Sequence, residues 1–331
     1  MTGIDNRPRL PESGPWQEVW YLKLNQPEAR RALWLRFTLL RTLEGKRVAE
    51  VWAIAFEDGA APRKIGLKNT HALETFAHRA GGGVAIAESD FADARTSGSV
   101  ISDAHAIRWD LEMRPAAEAG FDFVPSALRR LGLVKNLAVT PFEDLRFSGW
   151  SEVDGVRCAW ENAPGMQGHL AGPKNGHSWA WGHCNHFVDE SGAPSDLVFD
   201  GLSARARLGS ARSTPLLSTF YVRYGGREYA LNGVRHLLRT RSRYSPVTWQ
   251  FEARAGSMAF RGEVRAALED FAGVTYEDTD GSLLYCHNSK ISDMTLEVFR
   301  EGAREARFTA DGTVAFEFVS REKHPGVEFV I

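Results

Sequence analysis

This sequence predicts an all-β fold assembled from two tandem β-units of the barrel or sandwich kind, and three observations carry that expectation. Strand-length runs rich in aromatic and β-branched residues recur at short intervals, with turn formers between them. Helical periodicity is confined to a few short stretches. The number of strand runs in 331 residues exceeds what one small barrel takes. A first unit over 1–140 and a second over 141–331 are therefore expected, with Pro115, Pro125 and Pro141 punctuating the region where they meet.

After a polar, proline-rich leader, Glu18–Leu24, Arg30–Leu40 and Arg47–Phe56 read as three strands separated by NQPEA and LEGK. In the second of them Leu33, Leu35 and Phe37 alternate with Trp34, Arg36 and Thr38, the period of a half-buried sheet surface. Arg63–Leu67 continues the pattern. His71–Arg79 has the composition of a short helix, ended by Gly81–Gly83. Val84–Ala87 and Ser99–Arg114 are strands, and Ser126–Leu131 is a short helix between Pro125 and Gly132. Phe142–Trp150 and Gly155–Glu161 form a hairpin about Val153, in which Asp154-Gly155 supplies the turn. Leu197–Leu208, Leu216–Tyr224 and Arg227–Leu231 follow, the last two joined by Gly225-Gly226. Val247–Ala255 and Met258–Leu268 turn through Gly256-Ser257, and Val274–Glu277, Leu283–Lys290, Thr295–Arg300 and Val314–Val319 complete the strands.

Composition removes several function classes. Hydrophobic residues at 43% and charged residues at 25% are the balance of a soluble globular chain. Basic and acidic residues are interspersed and the net charge is −2, which argues against a nucleic-acid or anionic-membrane partner. Cys158, Cys184 and Cys286 are an odd, widely spaced set without a CxxC, so no disulfide framework is expected. No apolar signal segment opens the chain and no run nears the ~18 apolar residues of a membrane span. The expectation is a cytoplasmic protein with no integral membrane segment.

The chemistry concentrates in Gly165–Phe187, GMQGHLAGPKNGHSWAWGHCNHF, which holds four of the ten His and two of the ten Trp. As a strand from His177, one face carries His177, Trp179, Trp181, His183 and Asn185, and the other the mostly small Ser178, Ala180, Gly182, Cys184 and His186. Aromatic walls with a few polar groups suit a pocket for a large apolar ligand. The plainer alternative is a core strand whose polar groups are satisfied by neighbours. A resident metal is not expected. His183 faces away from Cys184 and His186, and His177 stands six residues from His183, roughly 20 Å at strand rise. Gly176-His177-Ser178-Trp179-Ala180 approaches a nucleophile elbow but runs on as strand where the elbow needs a strand-to-helix turn. Neither Leu43–Lys46 nor Gly81–Gly83 matches a phosphate loop, so no nucleotide or nicotinamide cofactor is expected.

A second polar-aromatic row lies in Thr275–Lys290, TYEDTDGSLLYCHNSK. Leu283, Tyr285, His287 and Ser289 share one face, and Leu284, Cys286, Asn288 and Lys290 the other. Either Tyr285 with His287, or Asn288 with Lys290, contributes donors to the same cavity, with Tyr276 as a weaker candidate. The alternative is that they only satisfy backbone groups at a strand end.

At these residues the chain resembles a family. Phe147-Ser148-Gly149, then Gly165-x-x-Gly168-His169-x-x-Gly172, then Trp179-x-Trp181-x-His183-x-Asn185 are similar to the lipocalin-like superfamily of carotenoid 1,2-hydratases, tocopherol cyclases and lipocalin-type Diels–Alderases. EVWYLKL, ALWLRFTLL and Ile107–Leu111 resemble the first half of that family, so the likeness spans most of the chain. The resemblance implies two tandem lipocalin-like β-domains with a ligand cavity at or between them. It also implies cofactor-free hydration, cyclisation or pericyclic ring closure on polyenes, prenyl quinols or polyketides.

The expectation is thus a cofactor-independent cyclase, isomerase or hydro-lyase acting on a hydrophobic small molecule. His183 or His177 would move a proton, since an imidazole titrates near ~6.5, with Tyr285 as a further catalytic candidate. Trp179 and Trp181 would shape the cavity, and Asn185, His169, His287 and Asn288 would bind polar groups of the substrate. The alternative is a non-catalytic carrier, which needs the same cavity but no titratable group poised in it.

Overall fold

The computed structural model describes residues 4–58, 63–79, 82–92, 94–208 and 212–331. Each aromatic-rich run becomes a strand, and the strands pair into two curled antiparallel sheets. The first is built from β1 (Trp16–Gln26), β2 (Arg31–Arg41), β3 (Arg47–Glu57) and β4 (Arg63–Ala72), three short strands β5 (Phe76–His78), β6 (Val84–Ile86) and β7 (Ser89–Ala92), then β8 (Arg95–Ile101) and β9 (Ala106–Pro115). The stub β10 (Phe121–Asp122) precedes two 17-residue strands, β11 (Leu137–Val153) and β12 (Val156–Gly172). These make a 12-stranded sheet in the order β4-β3-β2-β1-β12-β11-β9-β8-β7-β6-β5, with β10 on β11.

The second sheet takes β13 (Ser178–Cys184), β14 (Phe187–Asp189), β15 (Pro194–Ser195) and β16 (Val198–Arg205), while β17 (Arg207–Leu208) and β18 (Arg212–Ser213) form a separate ribbon. It continues with β19 (Leu217–Tyr224), β20 (Arg227–Leu231), β21 (Arg241–Ser245), β22 (Thr248–Ala255) and β23 (Met258–Arg265). It ends with β24 (Ala272–Glu277) and two long strands, β25 (Leu283–Arg300) and β26 (Ala303–Ser320). Its main order is β20-β19-β16-β13-β26-β25-β23-β22-β21. Strands change sheet between Gly172 and Ser178, so residues 141–172, grouped by the sequence with the second unit, pair within the first.

The expected turns form. Asp154 and Gly155 both adopt positive φ (52° and 83°) at the β11–β12 hairpin, the geometry that suits the right-handed twist of two strands. α1 (Ser126–Arg130) is the expected helix, whereas α2 (Val234–Arg239) was not marked by any signal. His71–Arg79 is not a helix. β4 runs on to Ala72, a single 3-10 turn covers Leu73–Thr75, and β5 follows, so strand pairing overrides the helix-like composition. Gly81, the first glycine of the run expected to end it, lies outside the described residues. Leu283–Lys290 and Thr295–Arg300 are one strand, β25, which passes through irregular register between Ser289 and Met294.

Side-chain alternation sorts the core into three layers. Trp20, Leu22, Leu35, Phe37 and Phe147 fill the inside of the first curl. Phe199, Phe220, Trp249 and Phe251 stack inside the second. Between the sheets lie Tyr21, Trp34, Trp52, Trp181 and Tyr276. This third layer explains why β2, expected to be half-buried, is buried on both faces: Trp34, Arg36 and Thr38 meet the second sheet instead of water.

Candidate functional site

β13 runs between β16 and β26, and register places Leu202 and Glu317 on either side of Trp181. Its Trp179 and Trp181 face the first sheet, while Ala180 and Cys184 point into the second sheet's own core. Opposite stand Tyr21 of β1 and Trp34 and Arg36 of β2. Tyr21 can lie flat over β12 because Gly168 is its cross-strand partner: a Cβ there would come within 2.1 Å of the phenol ring. Together these side chains enclose a cavity of about 200 Å³, with Trp179, Trp181, Tyr21, Trp34, Leu170 and Leu202 as walls and Arg36, Tyr276 and Glu317 as polar lining. A second chamber of about 150 Å³ adjoins it and shares Gln17, Arg36 and Tyr276. The Arg36 guanidinium lies 4.1 Å over the Tyr276 ring, and its Nε donates to Thr38 Oγ1 at 2.8 Å.

The 173–177 connection sits over the cavity and is tied to the β24–β25 turn. Asn175 N–H donates to Asp278 Oδ1 at 3.0 Å, Thr279 Oγ1 donates to Pro173 O at 2.5 Å, and Lys174 pairs with Asp280 at 2.6 Å. A wider depression of about 880 Å³ on the outer face of β21–β26 has the wrong chemistry for an apolar ligand. Its rows Arg241, Glu252, Arg261, Glu297 and Arg307 alternate in sign across the strands, a solvated charge ladder.

Lys290 is wholly buried beside the cavity, its Nζ 5.4 and 5.6 Å from the Trp181 and Trp34 ring centres. It bonds Glu317 Oε1 at 2.9 Å and Asn288 Oδ1. Burial lowers the Lys290 pKa, and the Glu317 charge opposes that. Of the two options the sequence left open, Asn288 with Lys290 is therefore the pair nearest the cavity. Tyr285 and His287 face the other way: Tyr285 packs edge-on against Phe329, and His287 stacks on Phe318 with Nδ1 donating to the Phe318 carbonyl at 3.0 Å.

The other expected residues are placed apart. His183 is fully buried behind Trp181, its Nε2–H donating to the Glu143 carbonyl at 2.9 Å. Burial, and then Lys23 nearby, hold this imidazole well below its ordinary pKa, so it is neutral. Asn185 joins the sheets by donating to Asp144 Oδ1 and to Gly165 O, both at 2.9 Å. His169 lies within the first sheet, stacked on Trp20 at 4.6 Å and bonded to Glu18 at 2.9 Å. His177 is half-buried near Arg205, Arg207 and Arg321, which, after burial itself, depress its pKa. Neither His177 nor His183 lines the cavity.

Sequence reasoning passed over Tyr21, Trp34, Arg36 and Glu317, and also the buried carboxyls Glu143 and Asp200. A lone acid inside an apolar run was the signal for two of them, Asp200 in VFDGL and Glu317 in AFEFV; Glu143, next to Asp144 in TPFED, carried no such signal. Asp200 accepts from Trp181 Nε1–H at 2.9 Å and Thr140 Oγ1–H at 2.6 Å, and burial pushes it up to about 7 against those bonds. Glu143 is raised well above the carboxylate range, first by burial and then by the Asp200 charge. Lys23, buried with Asn25 Oδ1 at 2.9 Å, is lowered to about 8 by burial.

No protein-family model matches the chain. Two uncharacterized proteins of Mycobacterium tuberculosis, from strains CDC 1551 and H37Rv, are each 23% identical to it over 283 residues, 85% of this chain and 80% of theirs. Among solved structures, CghA in complex with Sch210972 superposes with a TM-score of 0.56 at 9% identity, over 97% of this chain and 96% of that one. A Nitrosomonas europaea protein designated AttH covers 91% of both chains at 12% identity, with a TM-score of 0.46. The likeness to CghA is one of fold, and it runs the length of both chains. Two curled antiparallel sheets of lipocalin-like kind are what they share.

Proposed function

We propose that this protein takes a largely apolar small molecule between its two sheets and acts on it without a redox cofactor, as a cyclase, isomerase or hydro-lyase. The observation that carries the reading is the inter-sheet cavity walled by Trp179, Trp181, Tyr21 and Trp34. At about 200 Å³ it is smaller than the ~300–1,000 Å³ of most ligand pockets. The adjoining chamber behind Arg36 and Tyr276 would bring the space into that range when their stack parts. The CghA structure, which holds a small molecule on the same fold, supports the reading by analogy.

In this reading the wall matters more than any single acid. Holding a flexible substrate in a reactive fold can remove about 7–11 kcal/mol of barrier. One cation–π contact with Trp181 supplies roughly 0.5–2 kcal/mol. The groups placed to touch polar atoms of the substrate are Tyr21, Tyr276, Arg36 and Glu317. Burial raises both tyrosine pKa values far above neutrality, so both act as neutral hydrogen-bond donors. His183 and His177 stand outside the lining and enter as supports of the wall. That same placement favours a second reading, a carrier that releases its ligand unchanged.

Organic extraction of the purified full chain, followed by chromatography and mass spectrometry, tests the first step. A hydrophobic molecule should be recovered in near-stoichiometric amount from the native protein, and far less from Trp181→Ala. No such molecule, together with no binding of the neutral apolar probe N-phenyl-1-naphthylamine, would sink the reading. Cyclisation and isomerisation conserve mass, so enzyme and carrier are separated by retention time before and after incubation.

A further inference from the structure

The carboxyl pair behind Trp181 has no role in the reading above, although its geometry is specific. Asp200 is wholly buried on β16 of the second sheet, and Glu143 is wholly buried on β11 of the first. Thr140 Oγ1–H, from the first sheet, and Trp181 Nε1–H, from the second, reach different oxygens of Asp200, at 2.6 and 2.9 Å. Neither oxygen of Glu143 receives a donor among the described residues, and the His183 ring nitrogen stays 3.7 Å away. Burial, and then the Asp200 charge, raise Glu143 well above the carboxylate range. Glu143 is therefore the protonated member of the pair and sets no second negative charge beside Asp200.

Resting on the cavity reading above, we propose that Asp200 is a positioning residue: with Thr140 Oγ1–H on one oxygen and Trp181 Nε1–H on the other, it fixes the plane of the Trp181 indole that forms the cavity wall. Thr140 contributes its donor across the sheet boundary, so the same carboxylate clamps one sheet to the other directly behind the bound molecule. A carboxylate acceptor makes stronger bonds than a neutral acid. Ionisation of Asp200 near its raised value of about 7 therefore tightens the indole bond, and the wall is better ordered above that pH than below it. The groups facing this pair are Tyr21 and Lys23 from β1, Asp144 from β11, His183 from β13, Tyr221 and Arg223 from β19 and Glu228 from β20. Of these Lys23, at about 8, titrates nearest to Asp200.

The test follows the indole N–H signals of the full chain, labelled with ¹⁵N-tryptophan, from acid to mildly alkaline pH, and the Kd of N-phenyl-1-naphthylamine over the same range. Trp181→Phe identifies the signal. In the native protein it should move downfield as pH rises through about 7, and probe binding should tighten with it. In Asp200→Asn the amide oxygen still accepts from the indole, so probe binding persists while the pH-dependent movement disappears; a Lys23 titration would survive this substitution. Thr140→Val and Asp200→Leu should move the signal upfield, with probe binding roughly tenfold weaker in the second. A Trp181 signal indifferent to pH in the native protein overturns the proposal, as does an unchanged pH response in Asp200→Asn. Because the indole is read without ligand, its titration decides the role of Asp200 alone. Absence of probe binding by the native protein would instead overturn the cavity reading.

Discussion

Inside either curl the chain is packed with hydrocarbon, whereas the layer between the sheets holds charges and empty space. Phe199, Phe220 and Phe251 pack at 4.4–6.0 Å inside the second curl, with no buried ion pair among them. Where the sheets meet, Asp200, Glu143, Lys23, Lys290 and His183 are fully buried on β16, β11, β1, β25 and β13, in the same layer as the cavity. Both layers are equally dry by exposure. What differs is how each is stabilised: the first by area removed from water, the second by pairing of groups that cannot be left alone. The proposed site lies in the layer where packing is incomplete and the sheets meet.

The largest effect should come from unpairing a charge in that layer. Glu317→Leu leaves the Lys290 ammonium without its carboxylate, and denaturant unfolding should show a loss of about 3–5 kcal/mol. Adding Lys290→Met should recover most of it. If Glu317→Leu were nearly neutral, the interface would behave like the hydrocarbon cores and the contrast would fail.

The pH dependence comes next. Asp200 is raised from its ordinary value to about 7, so the folded chain holds this proton more tightly than the unfolded chain does. Its contribution is fully present below ~4 and is lost as pH rises through about 7, on the order of 4 kcal/mol in all. Glu143 acts in the same direction at higher pH. His183, with its pKa lowered, acts oppositely: its contribution is present above ~6.5 and lost as pH falls toward its folded value. Unfolding curves of the native protein and Asp200→Asn across pH isolate the first term. A difference between them that stays flat with pH would contradict the assignment.

Adding atoms should separate the layers by a smaller amount. In the second core a Cβ at Gly262 would meet the Phe251 ring at 2.2 Å, so Gly262→Ala should cost about 1–3 kcal/mol. Leu202→Phe adds a larger group, but into the cavity, and should cost under ~1.5 kcal/mol while abolishing binding of N-phenyl-1-naphthylamine. Equal costs would mean that the inter-sheet space is as full as the core.

The same contrast governs what could be read in advance. Alternation in EVWYLKL and RRALWLRFTLL gave the strands, and the Asp154-Gly155 pair gave the hairpin, because both are local rules. The split of β13 into a bulky and a mostly small row was legible too, but which row faces the cavity was not, because alternation alone does not say what packs on either side. Nor were the partners. Tyr21 stands beside Trp20 in sequence yet faces the other layer, and only pairing with Gly168 of a strand some 150 residues later brings it to the cavity. Likewise Asp200 meets Thr140 through a sheet-to-sheet contact that no periodicity encodes. Clustered histidines drew attention to His183 and His177, while the groups that line the cavity are scattered over eight strands of both sheets.

The smallest effect should come from an ion pair outside both layers. Arg95 and Asp110 make two bonds, at 2.8 and 2.6 Å, as short as the Lys290–Glu317 bond at 2.9 Å. Their side chains are 61% and 33% exposed, against 0% and 11% for the buried pair. Water solvates either partner once the other is gone, so geometry alone confers little. Arg95→Ala should leave the denaturation midpoint where it was, and the gap between this variant and Glu317→Leu measures desolvation rather than distance. Comparable losses in the two would mean that bond length, not burial, sets the strength of charge pairs in this fold.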